Sequence, residues 1–340
     1  MDLQSTPLAS WVRRRFGGKY SEMIGQRLAD RENRRYWYGC RHGCRRGRRP
    51  RVGAFFLVLL ALSSCATKRP VVPPERVIPP PAERSAWIEL VPGIAWAAWT
   101  ATDPPIRAWA VRVDLGAPGL EVMVTPPDDG APGSPDGEIR GRRTSTALRE
   151  FDLDLAVNAS PFFPYTGRDG VWQNVAGLAV AGGRRYSEAD DAYAVLLIQP
   201  HPGGGYRAAV AEPPFGPAGV LEAAGGFFMV LRDGVVAARD APVRHPRTAV
   251  GLGPEGRILY LLVVDGRQPR WSVGITETEC AAWLAALGAV DGMTFDGGGS
   301  TTLAIRDESG APRVLNRPVD GRLIGRERVV ANHLGFRRSE

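Results

Sequence analysis

Cysteine and histidine are scarce, four of each among 340 residues. Cys40, Cys44 and Cys65 all lie near the N-terminal end, so the main body keeps Cys280 alone and cannot build a disulfide framework. His201, His245 and His333 show no His-x-x-x-His spacing and there is no Cys-x-x-Cys pair, which argues against a zinc site. No apolar run reaches the roughly 20 residues that a spanning helix needs. Three catalytic signatures are also missing: the Gly-x-Ser-x-Gly elbow of α/β-hydrolases, the Walker Gly-Lys-Ser/Thr and the glycine spacing of dinucleotide-binding folds.

Basic residues are crowded into one end. Residues 1–51 carry fourteen Lys or Arg against four Asp or Glu, which leaves 29 against 32 for the rest. The formal charge of +7 therefore belongs to the leader, and no nucleic-acid partner is expected of the mildly acidic body. With 44% hydrophobic and 23% charged residues, that body has ordinary globular composition.

Directly after Arg51 come eleven uncharged, mostly large apolar residues, Val52 to Leu62, then Ser63-Ser64-Cys65. A basic region, a short apolar region and small residues before a cleavage point make a secretory signal. Leu62-Ser63-Ser64-Cys65 resembles a bacterial lipobox, in which Cys65 is lipidated and becomes the new N-terminus. Residues 1–64 are accordingly expected to be a leader and 65–84 a tether, with six prolines between 66 and 84. The membrane is the expected partner through acyl chains on Cys65. Ala66 in place of Asp favours the outer membrane, facing the periplasm.

Residues 85–340 suit one large domain. Alternating segments such as 108–115 and 120–124 read as strands, as do 155–157, 177–180 and 192–198. The wholly apolar run 258–264 predicts a central strand covered on both faces. Helices are predicted at 144–150 and, behind a Thr276-x-x-Glu279 capping box, across Cys280, which reads as a small buried hydrophobe. Without regular βαβ alternation the expected class is α+β, with mixed, strand-rich sheets and flanking helices.

Five clusters at strand ends or glycine-rich turns are candidates for chemistry. Asn158 opens Asn158-Ala159-Ser160-Pro161-Phe162-Phe163, where a turn former and a ligand are both plausible. Gly225-Gly226 precedes an apolar strand, and a glycine pair admits either a ligand or another chain segment at close range. His245, Arg247 and Thr248 form an anion grip or a solvated basic turn. Asp265 and Arg267 leave the most apolar strand as an ion pair or half a site. Most informative is Phe295-Asp296-Gly297-Gly298-Gly299-Ser300-Thr301, whose three glycines cost too much chain entropy for a mere linker and can form a nest of N–H groups beside an acid.

In this order the clusters resemble the phosphodiester glycosidase family, together with the tail Asn316-Arg317-Pro318 and Arg328-Val329-Val330-Ala331-Asn332. The resemblance runs from about Asn158 to Phe336 and implies hydrolysis of the bond between a sugar's anomeric carbon and a phosphodiester oxygen. It implies Asp296 as the leading catalytic carboxylate, with Asp265 second, because an oxocarbenium-like transition state needs a carboxylate nearby. Arg247 and Arg267 would stabilise the phosphate leaving group. Gly297, Gly298, Gly299, Ser300 and Thr301 would bind phosphate or sugar hydroxyls, and Asn158 a sugar substituent. His245, Thr248, Gly225 and Gly226 complete the substrate-binding set. No cofactor is required by these residues; a structural divalent cation at exposed aspartates is left open, since no ligand spacing commits to one.

The competing reading is a non-catalytic envelope lipoprotein binding anionic glycans with the same groups. A third is an envelope hydrolase acting on another bond. Two retained aspartates speak against simple anion binding, which carboxylates weaken.

Overall fold

The computed structural model describes residues 78–81, 85–128, 137–214, 219–238 and 243–339; the expected leader and Cys65 lie outside them. The described residues belong to one compact unit, Pro74–Glu340.

The apolar run becomes the strand Ile258–Val264, fourth in an eight-stranded sheet, between Pro105–Asp114 and Arg247–Leu252. Its alternation decides what covers each face. Leu259, Leu261 and Val263 meet residues of two five-stranded sheets, including Leu196, Leu334 and Phe336. Leu262 and Val264 turn the other way, toward Leu284 and Trp283 of a helix. The run lacks polar alternation because neither face sees water.

One five-stranded sheet has the order Pro312–Val314, Leu303–Arg306, Leu155–Asn158, His333–Arg338, Leu120–Val124. The other runs Arg184–Ser187, Ala179–Ala181, Glu222–Gly225, Val195–Pro200, Tyr206–Ala211. Helix α1, Thr144–Glu150, places Leu148 against Ala156 and Ala304 on the outer face of the first. Every strand pairing among the described residues is antiparallel. With five sheets and two α-helices there, the molecule is mostly β, and the expected α+β class overstated its helix. Both helices fall where the sequence placed them; their apolar faces serve the sheets instead of forming a layer of their own.

Helix α2, Glu277–Leu287, opens with the capping box: Glu279 N donates to Thr276 Oγ1 at 3.1 Å, and Thr276 N to Glu279 Oε2 at 2.8 Å. Glu279 has two further partners through Oε1, Arg244 Nη2 at 2.7 Å and the backbone N–H of Ile78 at 2.6 Å. Trp283 Nε1 donates to the Ile78 carbonyl at 3.0 Å, and its ring meets Trp99 edge-on at 5.5 Å. Ile78 is thus buried on α2, although the sequence placed it within a free tether. Cys280 is buried as expected, and burial pushes its thiol up to about 12. No helix among the described residues is long and apolar enough to cross a membrane.

Candidate active site

Three strands from two sheets end side by side. Leu155–Asn158 delivers Asn158, Arg247–Leu252 delivers Thr248, and Asp291–Thr294 leads into Phe295 and Asp296. The wholly buried Asn158 side chain joins them: Nδ2 donates to the Asp296 carbonyl at 2.6 Å, while Oδ1 accepts from Thr248 Oγ1 at 2.8 Å and Thr302 N at 3.1 Å. It therefore clamps both ends of the triple-glycine turn, with Thr248 as a second point of attachment. The structure gives Asn158 and Thr248 these holding roles in place of the expected contact with substrate, because their polar atoms are consumed inside the core.

Each of the three glycines answers to a different neighbour. A Cβ on Gly297 would lie 2.8 Å from the Pro246 carbonyl. On Gly298, whose φ of +63° already favours glycine, it would lie 2.8 Å from Arg267 Nη2, and on Gly299 only 2.2 Å from Arg328 Nη2. Two guanidinium groups thus rest directly on the turn. Arg267 itself holds a left-handed φ of +59°. Arg328 is oriented by Asp320, which accepts from its Nε at 2.9 Å, and by the Tyr165 ring, 4.8 Å from its Cζ.

Asp296 is the carboxylate of this group. Ser300 Oγ donates to its Oδ2 at 2.5 Å, and Arg328 Nη1 stands 3.4 Å from the same hydroxyl. Burial raises the acid to about 6, against the opposing pull of Ser300, Arg328, the Gly297 N–H and Arg267. Tyr165 and Tyr193 flank it: partial desolvation raises both phenols, and the Asp296 charge adds to the rise. Tyr193 continues into an aromatic run with Phe227, 6.2 Å away, and Phe228. His245 Nδ1 lies 3.5 Å from Arg267 Nη2; burial, then Arg267 and Arg247, lower its pKa, so the ring is neutral at neutral pH.

Other expected residues stand elsewhere. The Arg247 side chain follows Ala249 onto the α2 face of its strand, reaching Glu277 Oε1 at 3.4 Å and the Ile275 carbonyl at 3.3 Å. It does not rest on the glycine turn as Arg267 and Arg328 do. Asp265 is enclosed: Trp271 Nε1 donates at 2.7 Å, Asn316 Nδ2 at 3.0 Å, and the Arg317 N–H at 3.0 Å to both oxygens. It pins the 266–272 loop to the segment around Asn316. The glycine pair serves chain against chain, since a Cβ on Gly225 would meet the Ala176 carbonyl at 2.8 Å and one on Gly226 the Thr294 carbonyl at 2.4 Å. Thr301, like Ser300, is buried.

Arg328, Tyr165, Tyr193 and Asp320 escaped the residue-by-residue reading. Arg328 appeared there only within a tail motif, and nothing local to these four marks them as neighbours of Asp296. Among the described residues no group of three or more His, Cys, Asp or Glu side chains gathers closely enough to hold a metal ion, so the open place for a structural divalent cation finds no donor set there.

Comparison with known proteins gives the family and the fold. The phosphodiester glycosidase family model matches residues 152–337, which spans the clamp, the glycine turn, Arg267 and Arg328. No curated protein matches the chain in sequence. Among solved structures, a Burkholderia pseudomallei protein described as exported is similar in fold, with a TM-score of 0.57 at 14% identity, over 77% of this chain and 98% of its own. The catalytic domain of zebrafish N-acetylglucosamine-1-phosphodiester α-N-acetylglucosaminidase, auto-inhibited by its pro-peptide, aligns with a TM-score of 0.52 at 17% identity, over 76% of this chain and 88% of its own. With its family model covering more than half of its length, the chain belongs to the phosphodiester glycosidases.

Proposed function

We propose that this chain hydrolyses sugar-1-phosphodiesters, releasing the free sugar and a phosphomonoester. The observation that carries the reading is one buried carboxylate, Asp296, that feels two guanidinium groups lying on the glycine turn beside it. Phosphate oxygens would take Arg267, Arg328 and the turn's N–H groups, which leaves Asp296 at the anomeric carbon. The bond from that carbon to the bridging oxygen breaks, the oxygen leaves with the phosphate, and water supplies the new C–O bond and the protons. Because the departing phosphate is a weak base, the arginines stabilise it without a strong general acid. Asp296 then serves the cationic sugar centre, as nucleophile or as base for water. Asp265 takes no chemical step in this scheme; it fixes the loop that presents Arg267.

The test is release of sugar from a panel of sugar-1-phosphodiesters by the full chain and by Asp296→Asn. Loss of about 10³-fold in the variant is expected, in line with removal of an acid–base or nucleophilic group. Equal rates would overturn the role of Asp296, and no release from any substrate by the native chain would favour a binding lipoprotein.

The same reading places the protein at the cell envelope, anchored by acyl chains on Cys65. The basic and apolar leader supports this, as does the exported relative. Substituting Cys65→Ala is expected to move the protein from the membrane fraction to the soluble one.

A further inference from the structure

Beside the site stands a hairpin that the scheme above does not use. Val319–Asp320 pairs with Leu323–Ile324 across the turn Gly321-Arg322, both turn residues having positive φ. Val319 is buried at its base, whereas Leu323 and Ile324 are 53% and 54% exposed. Neighbours along a strand point to opposite faces, so both faces of the second strand are open to solvent. The base packs on the Gly298–Ser300 turn, and Asp320 holds Arg328 there. On the other side of Arg328 is Tyr165, 58% exposed. A Cβ on Gly167, two residues further, would lie 3.4 Å from Arg326 Nη2, so this loop and the hairpin adjoin. Arg322 and Arg326 on the hairpin side and Arg168 in the loop are exposed and make no ion pair among the described residues.

Two exposed aliphatic side chains and an exposed tyrosine, with Arg168, Arg322 and Arg326 on the same two segments at the edge of a phosphate site, match an anion that carries a hydrocarbon. A sugar aglycone buries little of Leu323 and Ile324, whereas a hydrocarbon chain can cover apolar side chains without stranding polar groups. We infer that the hairpin is the aglycone subsite and that the aglycone is a lipid, so that the substrate class is a glycosyl phospholipid. This rests on the phosphodiester reading above. The hydrocarbon packs against the second strand of the hairpin, while the phosphate sits on Arg267 and Arg328.

The product half of such a substrate tests the subsite without knowledge of the sugar. Binding of methyl, butyl and octyl phosphate to the full chain is measured by calorimetry, with methyl phosphate as the reference within each protein. Affinity is expected to rise by at least about tenfold from methyl to octyl, since each buried methylene contributes up to about fourfold. The double variant Leu323→Ser, Ile324→Ser is expected to flatten that series. A flat series in the native chain, or an intact one in the double variant, overturns the inference. Sugar release from the diester panel is followed in the same preparations: release with a flat series sinks only the lipid aglycone, whereas a chain-length series without release leaves a lipid-phosphate site and sinks the hydrolysis. Chain-independent binding together with vesicle binding that the double variant loses would make the hairpin a bilayer contact, against the subsite.

Discussion

Asp296 and Asp265 are the same residue at the ends of strands in the same sheet, and burial raises both to about 6. Their exposure is 7% and 1%. The difference lies in what faces them. Asp265 is met by an indole N–H, an amide and a backbone N–H that fix it and are fixed by it, with the Arg317 charge as a smaller pull. Asp296 has one serine hydroxyl, two nearby guanidinium groups and two tyrosines. A perturbed acid alone does not mark a catalytic one; what separates these two is how far their oxygens are already engaged by hydrogen-bond donors.

The sharpest way to break the comparison is to remove each carboxylate in turn. Asp296→Asn should cost about 10³-fold in sugar release with little change in urea midpoint, because the Ser300 hydroxyl can still donate to the amide oxygen. Asp265→Ala should instead cost about 3 kcal/mol of stability in urea unfolding, since Trp271, Asn316 and Arg317 lose a buried acceptor. Equal stability losses in the two variants would erase the distinction.

The pH dependence sharpens it further. Both acids titrate above the unfolded value of about 3.9, so the stability they contribute is fully present below that pH and is lost as pH rises through about 6. The decline is on the order of 1–3 kcal/mol per group. Turnover should run the other way, rising through about pH 6 as Asp296 becomes a carboxylate. In Asp265→Asn the stability decline should shrink while the turnover midpoint stays near 6; a midpoint that follows Asp265 would transfer the catalytic role to it.

The smallest contrast concerns two glycines. Gly226→Ala presses on the Thr294 carbonyl, which is backbone, and should lower stability by about 1–3 kcal/mol. Gly299→Ala presses only on the end of the Arg328 side chain, which can swing away. The expected result is roughly a tenfold loss of kcat/KM with the melting temperature nearly unchanged; a stability loss matching that of Gly226→Ala would show that Arg328 is not free to move.

Much of this was legible in the residues. The central strand, both helices and the capping box follow from local periodicity and side-chain chemistry, and Asp296 with its glycines stood out because such a turn has no cheap structural purpose. What the sequence concealed was direction. Arg247 and Thr248 are adjacent letters, yet strand alternation sends one to α2 and the other to Asn158. Asn158 and Thr248 admit a ligand reading beside a turn reading because polar groups at strand ends usually face solvent, and only the pairing of two sheets buries them. Arg328 reaches Asp296 across 32 positions, through contacts that no local pattern records.

Ile78 has a mechanical consequence. Its N–H and carbonyl are gripped by Glu279 and Trp283, so a pull from the N-terminal side is borne first by helix α2 and only afterwards by the edge strand Ile88–Val91. Tension would have to extract one isoleucine and two hydrogen bonds before it could begin to peel the large sheet.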